Sequence, residues 1–210
     1  MLKKRLFFAI FVMLAPAIPT LAGQFNAVLS IGDNMPAFSN LPTTSDERID
    51  STQIRESVVV MISLASHCPW VRGMDRDMVA LAEHFRGKDV KFIGFSVNHR
   101  DDDRLPAMKQ HAINNRYPIT YMYDESQDIG RKLGATRTPE YFVFNQQRKL
   151  VYMGLLYDSP AKINSDGSIR HINGEPQQHY VRDAIDATLA GKPVAISETR
   201  AHGCSVKYIN

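Results

Sequence analysis

Residues 58–64 read Val-Val-Val-Met-Ile-Ser-Leu, a strand-length apolar run with one small polar break. Apolar and polar residues do not alternate in it, so it has the pattern of a strand buried on both faces. An amphipathic helix follows at once. Val71, Met74, Met78, Leu81, Ala82 and Phe85 recur at three- and four-residue steps, and Gly87 closes the segment. Between strand and helix stand Ala65-Ser66-His67-Cys68-Pro69-Trp70. Pro69 suits the first helical position, which leaves Cys68 at the cap. A thiolate is stabilised there, because unpaired N–H groups and the helix dipole favour negative charge.

The rest of the chain repeats this grammar. Residues 90–97 predict a second strand, and a helix follows around 104–114 with Asp101-Asp102-Asp103 at its N-terminal end, where their charge suits the dipole. A short strand near 119–123 leads to a small helix with Ser126 as its cap and Gly134 after its last turn. Residues 141–144 and 150–153 flank Asn145-Gln-Gln-Arg-Lys149 as a hairpin. Residues 155–178 are polar, with Asp166-Gly167 marking a tight turn. A last amphipathic helix covers about 177–190 and is ended by Gly191 and Pro193. Short strands and loops are expected over 24–57, and residues 194–210 form a tail without strong structure, free to move. Strand–helix–strand–helix, then a hairpin and a helix, is an α/β sandwich built on a right-handed crossover. In such open sheets the sites lie at the carboxyl ends of strands, where Cys68 stands.

Residues 1–22 carry a different signal. Lys3-Lys4-Arg5 precede an apolar stretch from Leu6 to Leu14, and Thr20-Leu21-Ala22 supply small residues for cleavage, so a signal peptide and a periplasmic or secreted protein are expected. The apolar stretch is too short and too interrupted by proline to span a membrane. The chain holds 25 Lys+Arg against 22 Asp+Glu, and three of those cations lie in the first 22 residues. The remainder balances at 22 against 22, which removes any charge argument for nucleic acid or an acidic membrane as partner. Residues 23–210 suit a single domain with one sizeable core.

There are two cysteines, Cys68 and Cys204. In an oxidising compartment they admit a structural bridge, a redox pair or two independent thiols. A bond between them would close a loop of 136 positions, worth at most roughly 5 kcal/mol by chain entropy.

Three further stretches carry a family likeness: Gly134-Ala-Thr-Arg-Thr-Pro-Glu-Tyr-Phe-Val143, Arg182-Asp-Ala-Ile-Asp186 with Leu189-Ala-Gly-Lys-Pro-Val194, and Gly203-Cys-Ser-Val-Lys-Tyr208. Together with His67-Cys68-Pro69-Trp70-Val71 they resemble the redoxin branch of the thioredoxin fold, which includes peroxiredoxin-like and AhpC/TSA-type proteins. The resemblance implies a thioredoxin-like three-layer α/β sandwich with an N-terminal extension and a cysteine-bearing C-terminal tail packed near the active site. It implies a cis peptide before Pro139, facing Cys68. It also implies that Cys68 is a nucleophile toward a protein thiol or disulfide or a peroxide, with Cys204 as its intramolecular partner, a separate reductant and no cofactor. The chain departs from the family at three positions. Ala65 stands where relatives carry a cysteine, or the hydroxyl of a peroxidase. Val71 replaces the second cysteine of a vicinal pair, and Arg137 replaces a cysteine before Thr138-Pro139.

The remaining candidates are supporting residues. His67 and Arg137 are potential partners of a thiolate, Thr138 and Pro139 line it, and Trp70 shields it or offers a docking surface. No carboxylate lies in residues 58–64 to take the thiol proton. An alternative reading groups His67, Cys68, His202 and Cys204 as ligands for a soft metal such as Cu(I). Another leaves the fold redox-inactive, with a structural disulfide.

Overall fold

The computed structural model describes residues 23–209; the expected signal peptide, 1–22, lies outside the described residues. Its centre is a five-stranded mixed sheet in the order β5-β4-β3-β7-β8. The strands are β3 (Val58–Ser63), β4 (Val90–Ser96), β5 (Thr120–Tyr123), β7 (Glu140–Phe144) and β8 (Leu150–Gly154). Strands β3, β4 and β5 run parallel, and β7 and β8 complete the sheet antiparallel.

The apolar run of β3 is buried at every position. Val58, Val60 and Ile62 enter one core, while Val59 and Met61 enter the other. This period of two is what a strand with helices on both faces requires, and each such side chain contributes about 1.5–3 kcal/mol of transfer free energy. Helices α1 (Pro69–His84), α2 (Leu105–Asn114) and α4 (Tyr180–Leu189) supply Met74, Met78, Met108, Val181 and Ile185 to the first core. Helix α3 (Asp128–Leu133), the segment around Leu29 and the tail residue Val206 cover the second. The result is three layers, as expected. Helix α3 begins two residues after Ser126, whose Oγ accepts from the Asp128 N–H, and Gly134 ends it at φ 63°.

Short strands decorate this frame. Strands β1 (Leu41–Pro42) and β2 (Arg48–Ile49) pair in the N-terminal extension. The polar stretch after β8 is not a simple loop: β9 (Ala161–Ile163) and β10 (Ile169–His171) form a hairpin around the expected Asp166-Gly167 turn. Strand β9 crosses α1 so closely that a Cβ at Gly73 would sit 2.5 Å from the Lys162 Cα. Strand β6 (Arg137–Thr138) pairs with β11 (Cys204–Ser205). Among the described residues, no helix is long and apolar enough to cross a membrane.

Candidate active site

Cys68 is the N-cap of α1, at φ −73° and ψ 120°, with Pro69 in the first turn and no side chain capping the helix. Its carbonyl accepts from the Arg72 N–H at 3.0 Å, the first bond of the helix. The residue is fully buried, at 0% exposure. It is bonded to Cys204 across a Cα–Cα distance of 6.0 Å, within the range a disulfide spans. The bridge therefore joins the carboxyl end of β3 to the end of the chain.

The bridge is held on the second side by β6. Cys204 stands opposite Thr138 and Ser205 opposite Arg137 in antiparallel register. The Thr138–Pro139 peptide is cis, as the family likeness implied. The Thr138 carbonyl oxygen lies 3.2 Å from the Cys68 Sγ; in the disulfide this is a contact between sulfur and oxygen, and on reduction the thiol has an acceptor in place. Gly203 permits the pairing. Its φ is +151°, and a Cβ there would fall 2.1 Å from the Thr138 oxygen, a position only glycine can occupy.

The tail is not loose beyond this point. The Val206 N–H donates to the Thr136 carbonyl at 3.0 Å, the Lys207 N–H to Asn98 Oδ1 at 2.9 Å, and the Ile209 N–H to Gln127 Oε1 at 2.8 Å. The Tyr208 hydroxyl donates to the Ala135 carbonyl at 2.7 Å, with the Arg131 guanidinium over its ring. This corrects the expectation of a freely moving tail. Backbone groups of a segment that pairs with no long strand are satisfied by side chains of the fold instead.

His67 is oriented by a carboxylate the sequence did not mark for the site. Its ring Nδ1 lies 2.6 Å from Asp103 Oδ2, and its backbone N–H donates to Asp103 Oδ1 at 3.2 Å. Asn98 donates to the same Oδ2 at 2.9 Å. Asp103 is entirely buried: the Asp101–Asp103 run forms a 3-10 turn before α2 and turns its last member inward. Because Asn98 also receives the Lys207 N–H, hydrogen bonds run without a break from the tail to the residue beside Cys68.

A second missed carboxylate is Glu140, directly after the cis-proline and buried. Its Oε2 accepts from the N–H groups of Thr136 and Arg137, at 2.8 and 3.1 Å. Burial pushes this carboxyl up from 4.5 to about 7, against the pull of those two bonds. Glu140 so fixes the β6 segment on which Cys204 pairs. Its signal in the sequence is its place after Thr138-Pro139.

The other candidates lie around the bridge. Trp70 is partly buried and meets His202 edge-on, with ring centroids 4.3 Å apart. The Lys162 ammonium lies 5.8 Å from the Trp70 ring centre. Arg137, on β6, donates to the Ser205 hydroxyl on β11. The four residues of the alternative metal set are otherwise engaged in this disulfide form: the two sulfurs with each other, His67 with Asp103, His202 with Trp70. Among the described residues, the one group of three or more His, Cys, Asp or Glu whose ligating atoms all lie within 4.8 Å of one another is His67, Asp102 and Asp103.

The family model for Redoxin matches residues 30–168. The chain belongs to the redoxin family. The matched span takes in Cys68 and Thr138-Pro139 and stops short of Cys204. Among solved structures, an uncharacterised conserved protein of Geobacillus kaustophilus superposes with a TM-score of 0.77 at 28% identity, covering 86% of this chain and 93% of that one. A hypothetical protein of Sinorhizobium meliloti gives 0.76 at 22% identity, covering 86% and 96%. A thiol:disulfide interchange protein of the thioredoxin family from Chlorobium tepidum gives 0.55 at 17% identity, covering 76% and 98%. No curated protein matches the chain. These structures share the fold over more of the chain than the family model matches.

Proposed function

We propose that the protein is an exported thiol–disulfide oxidoreductase in which Cys68 and Cys204 form the working couple. The observation that carries this reading is the bond between an uncapped helix N-terminal cysteine and a partly exposed tail cysteine. Cys68 is the sulfur carried as thiolate: it leaves when the bridge is opened and attacks when the bridge re-forms. Thr138 and Pro139 line it, Arg137 and His67 support its charge, and Trp70 borders the exposed side. The activity named for the Chlorobium protein agrees with this chemistry, and a disulfide agrees with the export that residues 1–22 suggest. Exchange with a protein dithiol is favoured over peroxide reduction, because position 65 offers a methyl group where peroxidases of the family carry a hydroxyl.

The test is the reduction potential of the bridge, read by alkylation and mass spectrometry in graded thiol buffers. It is paired with oxidation of a model dithiol peptide by the disulfide form. A potential nearer −200 mV than about −300 mV, with peptide oxidation lost in Cys68→Ser and Cys204→Ser, is expected. A potential below that lower figure, with no peptide oxidised, would make the bridge a structural staple.

A further inference from the structure

Resting on the redox reading above, we infer that the bridge is opened at Cys204, by a thiol on an acidic polypeptide segment drawn in by basic side chains near the tail. Three independent observations converge on it.

The first is access. Cys68 is wholly buried, its sulfur under the Thr138 carbonyl, whereas Cys204 is partly exposed on a two-residue strand between exposed His202 and Ser205. An attacking thiolate must reach a sulfur, and of the two cysteines only Cys204 has exposed surface.

The second is the leaving group. Attack at Cys204 expels Cys68, which sits on a helix N-terminus without a side-chain cap. Disulfide exchange runs faster when the departing thiol has the lower pKa, and a helix N-terminus lowers it. Attack at Cys68 would expel Cys204, which no helix N-terminus supports.

The third is charge. Arg137, Lys162 and His202 come from β6, β9 and the tail, and converge on the rim through Ser205 and Trp70. Exposed Arg72 adds a fourth basic side chain one turn into α1. Among the described residues none of the four lies within 4.0 Å of a carboxylate. The nearby acids are already engaged: Asp103 by His67 and Asn98, Asp102 by Arg100, and Glu140 by backbone N–H groups and, at longer range, by the charge of Arg137. In a chain balanced outside its first 22 residues, Arg137, Lys162 and Arg72, none of them in an ion pair, favour an anionic partner. The four basic side chains come from β6, β9, α1 and the tail, and two of them, Lys162 and His202, meet the Trp70 ring.

The exchange balances as follows. The partner thiolate bonds to the Cys204 Sγ, the Cys68–Cys204 bond breaks, and its electron pair stays on Cys68 as thiolate. The partner's second thiolate then attacks its own sulfur in the mixed disulfide and releases Cys204, which takes up a proton. The protein gains two electrons and the partner leaves with a disulfide.

The test uses the intact disulfide form and three capped peptides, each with one cysteine flanked by glutamates, serines or lysines. Each rate is divided by that peptide's rate on a small neutral disulfide. The glutamate peptide should react faster than the lysine peptide by ~5-fold or more at low salt, and the ratio should collapse toward one near 1 M salt. Lys162→Glu should lower the glutamate-over-lysine ratio at low salt at least twofold while leaving the serine peptide's rate within a factor of two. Peptide mapping after an acid quench should find the adduct on Cys204. Equal rates at low salt, or an adduct on Cys68, would overturn the inference while leaving the redox couple standing. Failure of all three peptides to open the bridge would instead overturn the redox reading, and this inference with it.

Discussion

Glu140 and Asp103 are buried carboxylates that touch neither sulfur, yet each holds a segment that bears on the bridge. Glu140 carries a measurable pH signature. Burial raises its carboxyl from 4.5 to about 7, so the folded state binds this proton more tightly than the unfolded chain. Its contribution is therefore fully present below 4.5, is lost as pH rises to about 7, and is constant above that. The shift corresponds to a cost on the order of 3 kcal/mol at neutral pH. Glu140→Gln keeps an oxygen to accept from Thr136 and Arg137 and cannot ionise. Urea midpoints at pH 5, 6, 7 and 8 should show the variant gaining stability relative to the parent as pH rises; a constant difference would refute this. Asp103 was legible only as one of three charges suited to a helix end. Its inward turn depends on Asn98 and His67, which come from the ends of different strands.

At the scale of elements, two glycines separate the bridge from the rest of the fold. Gly203→Ala would drive a methyl group against the Thr138 carbonyl, 2.1 Å away, at a φ of +151°. Strand β11 should unpair from β6, and the equilibrium constant for forming the disulfide in glutathione buffers should fall more than ~10-fold, about 1.4 kcal/mol. Gly73→Ala acts elsewhere. Alanine gains about 1 kcal/mol of helix propensity over glycine, but its Cβ would meet the Lys162 backbone at 2.5 Å. Overpacking against backbone costs about 1–3 kcal/mol, so the clash wins. The variant should lose up to about 2 kcal/mol in urea unfolding with its disulfide equilibrium unchanged. Similar disulfide equilibria in the two variants would show that β11 does not position the bridge. The hairpin β9–β10 escaped the sequence reading because its three-residue strands are too short for a period to show; packing on α1 sustains them.

For the whole molecule, the bridge ties residue 68 to residue 204 over 136 positions. Reduction should lower the unfolding free energy by at most about 5 kcal/mol in the chain-entropy limit. The loss should be smaller than that, because Lys207, Tyr208 and Ile209 keep their own anchors on Asn98, Ala135 and Gln127. Urea unfolding with and without reductant checks this, with Cys204→Ser as the reduced reference. Equal midpoints would mean the bridge adds nothing beyond those anchors. Trp70, the only tryptophan in the chain, lies against His202, so its fluorescence should report opening of the bridge in the same experiment.

The amino-acid pattern alone determined the buried central strand, the helix that starts at Pro69, the hairpin of β7 and β8 and the cap position of Cys68. Burial period, proline and glycine act over a few residues, so these features are local and readable. Tertiary structure decided which sulfur is covered, which carboxylates turn inward, and how a tail with little structure of its own is held. Each of these depends on contacts between residues up to 136 positions apart, and no local spacing encodes which distant N–H a carboxylate or a carbonyl will meet.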